Sequence, residues 1–363
     1  MNKVIIAGGG TGGHIFPALA IANELVKRNS AIEILFVGAN GKMEMEKIPQ
    51  AGYKIIGIDI AGLQRGSVVK NLSLPFKLLK SHFQVKEIFK NFLPDAVIGV
   101  GGYSTFPVLR YAQKKRIPTF IHESNSFAGK SNILLGKNAT EIFVAWDGME
   151  RFFPAGKIVK TGNPVRQNIV QNQVTHEEGI KFFGLDAKKK TILVVGGSLG
   201  AHSINQAILP HLSDFATLNI QLIWQTGKVQ AGQFKKQGKT FGNIWVGEFI
   251  QNMDAAYAAA DVVLSRAGAM SITELCIAKK AAVLVPYPYA AEDHQTVNAS
   301  YLVDKHAAIL IKDDQAQTKL FRAATDLLFD DKKIKTFEEN IAQLATPNAV
   351  EHIVSEILKH SKN

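Results

Sequence analysis

Two stretches of this chain repeat one local grammar. VIIAGGGTGGHIFPALAIANEL begins at Val4 and TILVVGGSLGAHSINQAIL begins at Thr191. Each reads as a short apolar run, a glycine-rich turn and an amphipathic helix. A strand apolar on both faces that runs straight into a helix is the building unit of a parallel sheet. Further runs without polar alternation lie at Ile34–Val37, Ala96–Val100, Thr119–His122, Glu141–Ala145, Gln221–Gln225, Asp261–Ser265 and Ala282–Pro286. The segments between them are long enough for crossover helices. The expected fold is α/β, with two Rossmann-like doubly wound domains facing one another across a cleft. At 363 residues the chain has room for two domains of roughly 150 residues each. The punctuation of TGNPVR, Thr161–Arg166, places the joint, giving domains 1–162 and 163–345. Residues 346–363 are read as a C-terminal helix free to pack back on the first domain.

Charge separates the halves. The whole chain carries a net +11, and residues 1–162 carry +10 of it. An anionic partner is therefore expected on the first half. Nucleic acid fits poorly, since no basic groove with interleaved aromatics and no known module appears. The single cysteine, Cys276, excludes an internal disulfide and agrees with a reducing compartment. The longest uncharged stretch, Val4–Asn23, has GGGTGGH at its centre. So many glycines do not make a signal core or a membrane span, and the stretch reads as strand, loop and helix.

Gly8, Gly10 and Gly13 satisfy G-x-G-x-x-G, which raises a nicotinamide reading. That reading needs an acid at the end of the second strand to hold a ribose. EILFVGAN ends without one, and no Gly-Lys-Ser/Thr follows for a P-loop. Two more glycine turns follow strands, GVGGYST and GGSLGA, so three turns offer backbone N–H groups suited to anions. His14 closes the first loop and has an ordinary pKa near neutrality. It reads as a general base, as a group that positions an acceptor, or as a brace for its own loop. In SRAGAMSITE, Ser265–Glu274, a strand ends and a helix begins, with its N-terminus suited to a diphosphate. Glu274 is a ribose ligand or the partner of Ser271 in a capping box, on equal terms. His294, Gln295 and Asn298 offer polar groups suited to sugar hydroxyls. No Cys/His cluster or D-x-D pair supports a metal site, and no cofactor is called for.

Together GGGTGGHIFPALA, GVGGYSTFPV, HESNSFAGKSN, TGNPVR, GGSLGA, GEFIQNMDAAYAAADVVLSRAGAMSITE and EDHQTVNA make the chain similar, over its whole length, to glycosyltransferase family 28. The resemblance implies a GT-B enzyme that moves GlcNAc from UDP-GlcNAc onto lipid I, the undecaprenyl-linked MurNAc-pentapeptide, in peptidoglycan synthesis. It implies inversion at the anomeric carbon, with His14 as the candidate base. Carried over by motif, Ile250 meets uracil through its backbone, Glu274 meets ribose, and Ser198 with Ala269, Met270 and Ser271 meets the diphosphate. Arg166 lies near the donor, Gln295 binds GlcNAc hydroxyls with His294 beside it, and Thr11, Gly12, Gly13 and Asn125 close over the sugar. At Lys279 a helix-ending glycine of the family is missing. Alternatives on the same scaffold are another UDP-GlcNAc enzyme, either a glycolipid synthase or a 2-epimerase, and a non-catalytic UDP-GlcNAc sensor.

A lipid acceptor requires contact with a bilayer, here the cytoplasmic face of the plasma (inner) membrane, reached peripherally. On a helix over Pro75–Lys90, Leu78, Val85, Ile88 and Phe89 share a core face. Phe76, Leu79 and Phe83 form an opposite stripe flanked by Lys80, Lys86 and Lys90. An apolar stripe fringed by lysines suits an anionic membrane surface.

Overall fold

The computed structural model describes residues 1–60, 74–197, 199–229 and 231–360. Contacts divide the chain into two units, Met1–Arg166 with Asn348–Asn363, and Gln167–Pro347.

The first unit is built on seven parallel strands: β1 (Lys3–Ala7), β2 (Glu33–Ala39), β3 (Lys54–Ile58), β4 (Ala96–Gly99), β5 (Thr119–Glu123), β6 (Glu141–Val144) and β7 (Ile158–Lys160). Their order is β3-β2-β1-β4-β5-β6-β7. Ile5 lies level with Leu35 on one side and Val97 on the other. Helices cover both faces, so the central strands have no solvent side and their sequences do not alternate. One face packs Ile5, Val37, Val97 and Ile121 against Val85, Ile88 and Phe89 of the helix Leu74–Phe92. The other packs Ile6, Ile98 and Phe143 against Ile15, Ile21 and Leu25 of the helix Gly12–Arg28. The C-terminal helix Ala349–Lys359 joins this second core through Val350, Ile353, Val354 and Ile357. Their i, i+3, i+4, i+7 spacing puts all four on one stripe, and burying each contributes up to about 1.5–3 kcal/mol.

The second unit has six parallel strands: β8 (Thr191–Val195), β9 (Gln221–Gln225), β10 (Ile244–Gly247), β11 (Val262–Ser265), β12 (Ala281–Leu284) and β13 (Ala308–Leu310). They run in the order β10-β9-β8-β11-β12-β13. In each sheet the order reverses beside its first strand, between β1 and β4 and between β8 and β11. The loops that leave such a switch point at the carboxyl ends of the strands diverge, and the crevice between them is where ligands sit in open α/β sheets. Lys279 ends the helix Ala269–Ala278 with φ +54°, so a lysine bears the left-handed conformation that a glycine would adopt at little steric cost.

The helix Leu74–Phe92 departs from the pattern expected of it in one place. Val85, Ile88 and Phe89 are buried, but Leu78 is 44% exposed and belongs with Leu79 and Phe83, at 58% and 60%. Among the described side chains of this helix the buried face begins at Ser81, one helical turn later than the periodicity suggests. Phe76 falls on a side chain outside the described part. Among the described residues no helix is long and apolar enough to cross a membrane.

Candidate active site

In the first unit the site grows from the turns that follow β1, β4 and β5. The helix Gly12–Arg28 starts at Thr11, and His14 sits in its first turn. Its Nδ1 lies 3.0 Å from the Gly9 carbonyl oxygen. A carbonyl only accepts, so Nδ1 carries a proton, and in the neutral ring Nε2 keeps its lone pair. The Gly101 turn runs against the other edge of the ring: a Cβ there would lie 2.7 Å from Nε2, and Gly101 has φ +96°. Burial lowers the His14 pKa, opposed by the Gly9 bond and by the charges of Glu123 and Glu44. A neutral imidazole with Nε2 unprotonated is the form a general base needs.

Glu123, at the end of β5, is 4% exposed. Its Oε1 accepts from the Asn125 N–H at 3.0 Å, and its Oε2 accepts from the Gly129 N–H at 3.0 Å and from Asn132 Nδ2 at 2.9 Å. It shapes the HESNSFAG turn and holds Asn125 in place, while its charge favours protonated His14. Arg166 lays its guanidinium over the Phe16 ring, 4.5 Å from the centroid, on the same helix as His14. Thr11 is exposed, and Gly12 and Gly13 are half-buried at the helix start. The structure therefore brings Thr11, Gly12, Gly13, His14, Asn125 and Arg166 together in one unit.

Beneath His14 lies His122, 1% exposed. Burial first, and His14 second, push it down from 6.5 to about 4. The unfolded chain takes up this proton near 6.5, which the folded unit refuses until about 4. This part of the stability is intact above 6.5 and is lost as the pH falls to about 4, on the order of 3 kcal/mol in full. Urea unfolding followed from about pH 7 to about pH 4.5 should show a shallower loss for His122→Phe than for the unsubstituted protein. Identical slopes would remove His122 as the source.

In the second unit the helix Ala269–Ala278 is capped by Gly268, with no side-chain cap. Ser271 therefore lies inside the helix, and its capping-box pairing with Glu274 is not made. Glu274 is instead half-buried, and the Tyr257 hydroxyl donates to its Oε2 at 3.0 Å. That bond aims a carboxylate from the helix's second turn. Ala269, Met270 and Ser271 form the first turn, where N–H groups lack intrahelical acceptors. Ile250 is 2% exposed, and its N–H donates to Gln225 Oε1 at 2.8 Å. The Ile250 N–H is thus engaged within the second unit. Gln225 also donates to the Gly197 carbonyl at 3.1 Å, tying the turn after β8 to the Ile250 loop. Ser198 lies outside the described residues.

Arg266 joins four segments. It donates to the carbonyls of Val285 and Pro286 at 3.1 and 3.2 Å and to Ser203 Oγ at 3.0 Å, and it pairs with Asp313. Next to it, Gln295 Oε1 accepts from the Tyr287 N–H at 2.9 Å. His294 follows Glu292 and Asp293, two non-glycine residues at φ +53° and +51°. Such strain persists where the surroundings over-determine the backbone, commonly at ligand clamps. Asn298 departs from the sugar-binding expectation: it is fully buried and donates to the Ala267 carbonyl at 3.2 Å, bracing the loop from inside. Sequence reasoning missed Glu44, Glu123, Gln225, Tyr257 and Arg266. Their type and position were visible in the chain, but their inward orientation was not. Among the described residues no group of three or more His, Cys, Asp or Glu is placed to hold a metal ion.

Two family models match the chain: the glycosyltransferase family 28 N-terminal domain over residues 4–144 and the C-terminal domain over residues 191–353. The chain is 50% identical over 361 residues to the UDP-N-acetylglucosamine–N-acetylmuramyl-(pentapeptide) pyrophosphoryl-undecaprenol N-acetylglucosamine transferase of Bacteroides thetaiotaomicron, covering 98% of this chain and 97% of the relative. It is 49% identical to the protein of the same name from Flavobacterium psychrophilum, with 98% and 97% covered. The crystal structure of Acinetobacter baumannii MurG matches with a TM-score of 0.75 at 32% identity, covering 99% of this chain and all of that one. A UDP-N-acetylglucosamine 2-epimerase matches at 0.68 and 15% identity, covering 99% and 96%, a likeness of fold alone. The two parallel-sheet units are the GT-B fold that the sequence predicts.

Proposed function

We propose the following reaction for this chain, which belongs to glycosyltransferase family 28: transfer of GlcNAc from UDP-GlcNAc to the 4-hydroxyl of MurNAc-(pentapeptide)-pyrophosphoryl-undecaprenol, with inversion. One observation carries the chemistry. The Gly9 carbonyl holds the proton on His14 Nδ1, which leaves Nε2 to take the proton of an attacking hydroxyl. As the MurNAc oxygen forms its bond to the anomeric carbon, the bond to the UDP oxygen breaks and the diphosphate leaves with the electron pair. Thr11, Gly12, Gly13 and Asn125, around His14, take the transferred sugar. On the donor side, Glu274 takes the ribose hydroxyls, the Ile250 carbonyl takes the uracil N–H, and the helix start at Ala269–Ser271 meets the diphosphate charge. Gln295, with His294 beside it, takes GlcNAc hydroxyls, and Arg166 adds a cation.

The reading is tested with radiolabelled UDP-GlcNAc and a short-chain lipid I analogue. Labelled disaccharide-lipid is expected, with turnover unchanged by EDTA. Release of UDP-ManNAc without acceptor would mark a 2-epimerase, and binding without any product would mark a sensor.

We further propose peripheral attachment to the cytoplasmic face of the membrane. Leu78, Leu79 and Phe83 stand exposed on the helix Leu74–Phe92, with Lys80, Lys86 and Lys90 also exposed. Apolar side chains entering the headgroup boundary and lysines facing anionic lipid add together. The double change Leu79→Ser, Phe83→Ser should weaken sedimentation with anionic vesicles by about tenfold or more. It should spare activity on a detergent-soluble acceptor. Undiminished sedimentation would sink this surface.

A further inference from the structure

The first glycine loop is expected to cradle an anion, yet the structure places an anion of the protein's own there. Glu44 opens the helix Glu44–Gln50 and is 1% exposed. Its Oε2 accepts from the Gly10 N–H at 2.7 Å, and its Oε1 accepts from the Ala39 N–H at 3.0 Å. One carboxylate thus closes the glycine loop after β1 onto the end of β2. Two glycines make room for it. A Cβ on Gly9 would lie 2.2 Å from the Glu44 carboxyl carbon, and one on Gly38 would lie 2.6 Å from its Cγ. An acid does stand just beyond the second strand, but it opens the next helix and turns inward to the loop, so it does not face a ribose. A phosphate seated on Gly10 would have to displace this bond and approach a buried negative charge.

We infer that Glu44 is a positioning residue that fills the anion seat of the first glycine loop, so that the loop is built to present His14 to a sugar hydroxyl and not to hold a phosphate. This rests on the reading of His14 as the base. The path is short: Glu44 holds Gly10, and the neighbouring Gly9 carbonyl holds His14 Nδ1. Among the described residues the titratable groups facing His14 are Glu44, Glu123 at the end of β5, and His122 on the same strand, while the loop after β4 brings the Gly101 backbone against the ring. Both carboxylates favour the imidazolium that forms when the base takes its proton.

The test uses the full-length protein and a short-chain lipid I analogue. Glu44→Gln keeps the shape but removes the charge and exchanges one of the two acceptor oxygens for a donor. Its kcat should fall by about tenfold or more. The KM for UDP-GlcNAc should stay within about twofold, because the donor groups lie in the other unit. The acid limb of its kcat–pH profile should move to lower pH. In a His14→Ala background the same change should cost less than about twofold, since residues acting as one unit are not additive. Glu44→Ala, which empties the seat, should recover several-fold in kcat with formate. A kcat within twofold of the unsubstituted protein overturns the assignment. So does an unmoved acid limb, an undiminished loss in the His14→Ala background, or no recovery with formate. Unsubstituted protein that transfers no GlcNAc overturns the functional reading instead, which keeps the two failures apart.

Discussion

His14→Ala is expected to reduce kcat by about 10²–10⁴-fold, the range for a lost general base, while UDP-GlcNAc binding stays within about twofold. The split follows from where the groups stand. His14 belongs to the first unit and makes its bond to the Gly9 carbonyl, whereas Ile250, Glu274 and Gln295 all belong to the second. His14→Gln, whose amide oxygen is a very weak base, should be nearly as inactive. Steady-state kinetics on the lipid I analogue, with isothermal titration of UDP, separate the two quantities. Turnover surviving within tenfold leaves His14 a brace for its loop, and another group must take the proton. The pH profile adds a sign. Burial holds the His14 pKa below its ordinary 6.5, so the acid limb should lie below that value and activity should be flat through neutrality.

Glu274→Ala should weaken UDP and UDP-GlcNAc binding by about 10–100-fold, the equivalent of about 1.5–3 kcal/mol for hydrogen bonds to a charged acceptor. The kcat at saturating donor should change little, because the ribose lies far from the reacting bond and its contacts are made equally in ground and transition states. Tyr257→Phe removes only the bond that aims the carboxylate, and its loss should be several-fold smaller. Titration of UDP into the three proteins gives the order directly. If Glu274→Ala binds UDP as the unsubstituted protein does, the ribose is held elsewhere. A Tyr257→Phe loss as large as that of Glu274→Ala would mean that the pair acts through packing.

Nine strands were legible along the chain, and the four that were not are the edges of the two sheets: β3, β7, β10 and β13. A central strand is covered on both faces and shows an unbroken apolar run. An edge strand is covered less, and these four are short: β3 and β7 read KIIGI and IVK with a lysine each, while β10 and β13 read IWVG and AIL. A segment this short reads as loop until its neighbour is known. The helix Leu74–Phe92 shows the same limit on a helical period. Its apolar residues fall on two stripes, and which stripe faces the core depends on the sheet beneath it. Leu78 is 44% exposed, whereas Ser81, three residues on and polar, is fully buried.

The site divides in the same way. His14, Glu274 and the glycine turns could be named because their types and spacing are local: a turn after a strand, a helix start, a base at its first turn. The capping box of Ser271 and Glu274 was an equally local reading. It gives way because Gly268 caps the helix and Tyr257, from a separate helix, takes the carboxylate. Glu44, Glu123, Gln225 and Arg266 had no local signature. Glu44 reaches Gly10, Gln225 reaches Gly197 and Ile250, and Arg266 reaches Val285 and Pro286, while Glu123 turns inward on the turn that follows it; a sequence does not say which way an acid or an amide faces.

The sequence by itself determined the parallel α/β class, the two units and the identity of the glycine turns, because period, turn chemistry and helix starts are properties of neighbours in the chain. Only the tertiary structure decided that Gly10 spends its N–H on Glu44, that His14 keeps its proton on Nδ1, and which stripe of the Leu74–Phe92 helix meets solvent. Those outcomes depend on burial and on which group the fold brings alongside, and a buried polar group must find its partner wherever the fold places one.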